Sequence, residues 1–167
     1  MPSILSGEEI SLLIRKINNV DSGEQRQPAG FDVTLNKLFS YPKDGSYVLG
    51  ISKTENSALE EITPNKDGEY ELKYDAYVAE LNEVTSIPED SIGILLPRST
   101  LLRNGLDIRS ALFDPGYSGQ PKVMLVCHRP KARIARFARI GQLIMIRSEG
   151  KFGSLYSGRY QGEGEKK

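Results

Sequence analysis

The chain has 167 residues, and its 22 Lys and Arg balance 22 Asp and Glu, so the formal net charge is zero. That length suits one domain with a core large enough to fold without metal or disulfide staples, and the balanced charge excludes a dedicated polyanion binder. One cysteine, Cys127, and one histidine, His128, exclude an intrachain disulfide and a Cys/His zinc cluster. No apolar run approaches the roughly 18 residues of a membrane-spanning helix, and Met1–Glu9 lacks the basic start of a signal peptide. The expectation is a cytoplasmic globular protein with no nucleic-acid or membrane partner.

In chain order, Ser6 followed by Glu9 forms a capping box. Ile10, Leu12, Leu13, Ile14 and Ile17 then predict an amphipathic helix over about residues 6–18, closed by Asn18-Asn19. After it, short apolar runs alternate with Gly, Pro and Asp turns. Phe31–Leu35 alternates with period two, Asp44-Gly45 and Asp67-Gly68 mark turns, and Tyr77–Leu81, Ile92–Pro97, Val123–Val126 and Gln142–Ile146 read as strands. Many short strands at even spacing predict an all-β fold, a sandwich, barrel or jelly roll with one N-terminal helix. The acidic stretch Ser52–Glu71 reads as a hairpin or long surface connection. Residues 1–147 are expected to form the single domain. Residues 148–167, glycine-rich and poor in apolar side chains, read as a mobile C-terminal arm. Within 128–139 stand Arg129, Lys131, Arg133, Arg136 and Arg139 with no acid; this basic run is either a solvated face or a patch facing polyphosphate or a partner.

Four segments carry candidate chemistry. Arg98, Ser99 and Thr100 follow an apolar strand and open a short helix, Ser99 to Arg103, where hydroxyls and an Arg suit an anion; the plainer reading is that Ser99 caps the helix. In Phe113-Asp114-Pro115-Gly116-Tyr117-Ser118-Gly119, Asp114 is either a turn former or a general base on a rigid hairpin, with Tyr117 as an aromatic wall. In Arg139-Ile140-Gly141-Gln142, Gly141 turns the chain and Gln142 opens a strand. In Arg147–Ser154, Phe152 is a lone aromatic in a charged, glycine-rich segment and needs a surface to land on.

Taken together, Ala29-Gly30-Phe31-Asp32-Val33, Arg98-Ser99, Asp114 with Tyr117 and Gly119, Gly141-Gln142, and Arg147-x-x-Gly150-x-Phe152-Gly153-Ser154 resemble, in order, the five motifs of the dUTPase family, within the superfamily that includes dCTP deaminases. The fourth departs from the usual pattern, which has an Arg and an Ala just before the Gln. Deaminase-like features accompany them: Ile4-Leu5-Ser6 before the helix, Gln27-Pro28-Ala29, Arg98–Gly105 including Asn104, Asp114–Gly119, and Arg159-Tyr160-Gln161-Gly162. The position ten residues after Asp114, where the deaminases carry a proton-shuttling Glu, is Met124, and a thioether moves no protons. Glu163 stands where the deaminase tail usually has a phosphate-binding Gln.

The resemblance implies a distorted jelly-roll or β-barrel of the dUTPase type, and a homotrimer with sites at subunit interfaces. It implies Mg²⁺-dependent hydrolysis of dUTP to dUMP and pyrophosphate by water attack at the α-phosphorus. Asp114 would serve as general base and Tyr117 would pack against deoxyribose. The hairpin around Asn104–Leu112 would read uracil. Arg98, Ser99, Thr100 and Gln142 would hold phosphate oxygens, Arg147 would reach the terminal phosphate, and Phe152 with Gly153 and Ser154 would close over the base. The Mg²⁺ would ride on the substrate phosphates, with Asp32 at most an outer-sphere neighbour. The alternatives are a dCTP deaminase or bifunctional deaminase–dUTPase, disfavoured by Met124, and a non-catalytic regulatory protein on the same scaffold.

Overall fold

The computed structural model describes residues 1–164; residues 165–167, the end of the expected arm, lie outside the described residues. The elements in chain order are β1 (Ser3–Ile4), α1 (Gly7–Ser11), β2 (Ile14–Lys16), β3 (Arg26–Gln27), β4 (Gly30–Ser40), β5 (Val48–Leu49), β6 (Thr54–Glu55), β7 (Glu60–Ile62), β8 (Glu69–Leu72), β9 (Asp75–Leu81), β10 (Glu83–Ser86), β11 (Ser91–Pro97), α2 (Ser99–Arg103), β12 (Leu106–Arg109), β13 (Ser118–Gly119), β14 (Lys122–Cys127), β15 (Ala132–Ala135) and β16 (Arg139–Arg147). All pair antiparallel, and the largest sheet runs β1-β16-β4-β9-β14-β12, with β11 also on β16 and β3 and β7 also on β4. This is the all-β class the turn spacing predicts, and its antiparallel sheet is of the jelly-roll or barrel type that the resemblance implies.

β4 is the spine, and it is buried along most of its length because sheet neighbours and the core cover both faces. Val33, Leu35, Leu38, Ala79, Leu81, Leu125, Ile140, Leu143 and Met145 fill the interior around it. β14 keeps the clean alternation of a one-sided strand, with Val123, Leu125 and Cys127 inward and Lys122 and Met124 outward.

The N-terminal helix is much shorter than residues 6–18. Its capping box forms as expected, Glu9 N–H donating to Ser6 Oγ and Ser6 N–H to Glu9, but it ends at Ser11. Leu12 points to solvent at 81% exposure, and Ile14–Lys16 pairs with Glu83–Thr85. Strand pairing outweighs a weak helical periodicity carried largely by β-branched residues. The acidic stretch is neither one hairpin nor a free connection: β6 pairs with β5, β7 with β4, and β8 with β15.

Three residues of the basic run have separate partners. Arg133 pairs with Glu69, Arg136 donates to the carbonyl and side chain of Asn36, and Arg139 reaches Asp32. The C-terminal segment is also placed: Tyr156 N–H donates to the Pro115 carbonyl and Gly162 N–H to that of Ser118. Backbone and amide hydrogen bonds attach it to the Asp114–Gln120 turn. No helix among the described residues is long and apolar enough to cross a membrane.

Candidate active site

Asp114 opens a tight turn. Phe113 bridges Gly93 of β11 through a pair of backbone hydrogen bonds, Tyr117 N–H donates to the Asp114 carbonyl at 3.1 Å, and Gly116 takes a left-handed φ of 78° that a side chain would strain. The turn leaves the Asp114 side chain exposed while Phe113, Pro115 and Tyr117 are buried. Phe113 and Tyr117 lie 5.7 Å apart between ring centres, and Tyr156 packs edge-on against Tyr117 at 5.6 Å. These residues wall a pocket of about 940 Å³ whose lining also includes Tyr41, Tyr47, Leu112, Met124 and Tyr160. Ser110, Ala111 and Leu112, the end of the Asn104–Leu112 stretch, line it too. Met124, at the position where the resemblance to deaminases implies a proton-shuttling Glu, thus lines the pocket.

A second cluster centres on Asp32. Its carboxylate is 3% exposed and receives Arg98 Nε at 2.9 Å and Arg139 Nη1 at 3.5 Å. Burial pushes the Asp32 carboxyl above the ordinary range, and the two guanidiniums pull it back. Gln142 is in register with Asp32 on one side and Leu96 on the other. Ser99 and Thr100 begin α2, whose N-cap position is Arg98, with no side-chain cap; Ser99 is therefore not the cap. Asn104 turns back and donates to the Thr100 carbonyl at 2.8 Å. Arg98, Asp32 and Arg139 thus form one polar cluster, with Gln142 in register beside Asp32 and Ser99 and Thr100 following Arg98.

Beneath this cluster lies a polar network. Glu83, fully buried, accepts from Thr34 N at 2.8 Å, Thr34 Oγ1 at 2.8 Å and Gln25 Nε2 at 2.9 Å. The same Gln25 amide donates to the Asp32 carbonyl at 2.7 Å. Burial raises the Glu83 pKa, opposed by those hydrogen bonds and by Lys16.

One chain does not bring the two clusters together. Gly93 lies opposite Phe113, and Arg98 follows five residues along; at about 3.3 Å per strand residue that is roughly 16 Å. Arg147 stands at the far end of β16, opposite Ser91, with Asp90 at 3.4 Å and Glu9 at 3.7 Å. Phe152 is 39% exposed and does not line the pocket, and a Cβ at Gly153 would touch nothing. Ser154 is likewise exposed on the same segment.

Sequence reasoning missed the aromatic walls. Tyr41 and Tyr47 flank the Asp44-Gly45 turn and Tyr156 and Tyr160 lie in the C-terminal segment, and nothing in these local patterns says that the four share one pocket. It also missed Glu83, which alternation assigns no special place.

The fold is a β-rich domain of the jelly-roll class with an aromatic-walled pocket beside the Asp114 turn. The chain belongs to the dCTP deaminase-like family, whose model matches residues 4–148. It is 38% identical over 167 residues to an Aeropyrum pernix protein named "Probable deoxyuridine 5'-triphosphate nucleotidohydrolase", covering 96% of this chain and 98% of that one. It is 32% identical over 142 residues to the Methanocaldococcus jannaschii deoxyuridine 5'-triphosphate nucleotidohydrolase, covering 83% and 88%. The fold is similar to that of a 2'-deoxycytidine 5'-triphosphate deaminase from Agrobacterium tumefaciens, with TM-score 0.68 and 18% identity. That match takes in 88% of this chain and 48% of the deaminase chain.

Proposed function

We propose that the protein hydrolyses dUTP to dUMP and pyrophosphate. The observation that carries this reading is the pairing of an exposed Asp114 with a buried Tyr117 on the wall of an aromatic pocket that Met124 also lines. The near full-length relatives named as deoxyuridine triphosphate nucleotidohydrolases support it.

The nucleoside occupies the pocket, with Tyr117 against the deoxyribose face, where a ribose 2′-hydroxyl would crowd the ring. Backbone groups of 110–112 lie within reach of the base edge. Asp114 orients a water and takes its proton as the water oxygen bonds to the α-phosphorus. The bond from that phosphorus to the bridging oxygen breaks, and pyrophosphate leaves. Arg98, Ser99, Thr100 and Gln142 hold phosphate oxygens and stabilise the charge that builds on them. Arg147 reaches the terminal phosphate, and Phe152 with Gly153 and Ser154 closes over the base and excludes water.

Among the described residues no three His, Cys, Asp or Glu side chains converge as a metal cage, and Asp32 is already held by two arginines. This donor set fits Mg²⁺ carried in on the triphosphate, with Asp32 in an outer-sphere position. When bound there, the ion neutralises phosphate charge and fixes its geometry. The roughly 16 Å between Asp114's turn and Arg98 suits a site in which one chain supplies the pocket and a neighbour the guanidinium cluster, as in the homotrimer that the family resemblance implies.

A panel of dUTP, dTTP, dCTP and UTP with Mg²⁺, assayed for pyrophosphate, tests the assignment. Release from dUTP well above the others is expected, and equal release from UTP would remove the deoxyribose role of Tyr117.

A further inference from the structure

The pocket has an unbalanced rim. Glu55, Asp114 and Glu163 line it against one cation, Lys122. Glu163 belongs to the C-terminal segment, and its carboxylate is ion-paired with Lys122 of β14, whose ammonium also stands 3.7 Å from Glu80 of β9. The ammonium thus bridges a strand carboxylate and a tail carboxylate.

The same stretch is stitched to the Asp114–Gln120 turn. Gln120 N–H donates to the Glu163 carbonyl at 2.7 Å and Gly162 N–H to Ser118 at 2.8 Å. The Gln161 amide donates to the Gly116 carbonyl at 3.0 Å and accepts from Ser118 N–H at 3.2 Å. Just upstream, Tyr156 packs against Tyr117, and the Tyr160 hydroxyl accepts from Asn56 Nδ2 at 3.4 Å, tying the tail to the β5–β6 side of the pocket. Apart from Tyr156 and Leu155, which lies against Gly116, the berth is polar and water-accessible. Such a segment opens easily, so a partly buried ion pair at its far end weighs on whether it stays closed.

We propose that Glu163 is a positioning residue. Paired with Lys122, it latches the C-terminal segment so that Tyr156 and Tyr160 stand as walls of the nucleoside pocket, and the pairing removes a bare carboxylate from beside the substrate's path. The latch acts on nucleotide binding, not on the chemical step, and it rests on the dUTPase reading only for its kinetic consequence.

Arg159, exposed within the latched segment, supplies a reporter independent of activity. Trypsin cleavage after Arg159, followed by mass, reads how often the segment opens. Wild type is expected to be cleaved slowly. Glu163→Gln and Lys122→Met are each expected to speed cleavage by about three- to fivefold and to raise KM for dUTP by a similar factor with kcat nearly unchanged, the scale of one partly exposed ion pair. The exchanged pair Lys122→Glu with Glu163→Lys is expected to restore slow cleavage and low KM. Wild-type cleavage and KM in Glu163→Gln would overturn the latch, as would an exchanged pair no better than the single variants. If wild type fails to hydrolyse dUTP but the cleavage pattern holds, the activity assignment fails and the latch stands.

Discussion

Arg98 Nε meets Asp32 Oδ2 at 2.9 Å, on a carboxylate that is 3% exposed and that Arg139 approaches from the side. One buried acid therefore meets two guanidiniums, one from the N-cap of α2 and one from the start of β16. Replacing it strands two positive charges next to each other in a largely desolvated place, and unpaired buried charge is costly. Asp32→Ala is expected to lower unfolding stability by about 2–3 kcal/mol, measured by urea titration. A loss within about 0.5 kcal/mol, the usual scatter of surface changes, would mean the arginines hold themselves in place.

Glu83 makes a test by pH. Its carboxyl pKa is raised, chiefly by burial. The folded state therefore holds this proton more tightly than the unfolded chain does. Its contribution is neutral below the unfolded carboxylate pKa, and it erodes stability as pH rises through the higher folded value. Glu83→Gln removes that proton site. The difference in unfolding free energy between wild type and variant is expected to shift in the variant's favour as pH climbs from about 4 through the range just above ordinary carboxylates. A difference that is flat with pH would show that Glu83 titrates as it does in the unfolded chain.

Asp114→Asn keeps the size of the side chain and the turn but removes the base. Turnover of dUTP is expected to fall by on the order of 10²–10⁴ with KM little changed. Near-normal turnover would take Asp114 out of the mechanism.

Much of the fold was legible because its signals are local. The Ser6–Glu9 box, the Asp67-Gly68 and Asp114–Gly116 turns, and the alternation of Val123–Cys127 each report a backbone state set by nearby residues. The helix past Ser11 was not legible, since Ile14–Lys16 is held by β10, far along the chain. The same holds at the site. The motif order marked Asp114, Tyr117, Arg98 and Gln142, but no spacing reveals that Asp32 collects Arg98 and Arg139, or that Tyr156 comes back onto Tyr117. The separation of Asp114's turn from Arg98 is likewise a property of strand register and not of motif order.

Removing residues 150–167 is expected to leave a folded core, because the segment contributes one aromatic, Tyr156, to packing against the core. Activity is expected to collapse all the same, since Tyr156, Tyr160 and Phe152 leave together. Thermal unfolding within a few degrees of wild type, alongside at least tenfold loss of kcat/KM, is the expected pair of readings; full activity in the truncated protein would empty the C-terminal segment of function.

Met124, which lines the pocket, has no proton to offer a ring amino group, so the proposed reaction is attack on the triphosphate with the base left intact. The direct measurement incubates the protein with Mg²⁺ and either dUTP or dCTP, following pyrophosphate and ammonia separately over hours. Pyrophosphate from dUTP with no ammonia from dCTP is the expected result. Ammonia released from dCTP at a rate comparable to dUTP hydrolysis would contradict it and make the protein a deaminase as well.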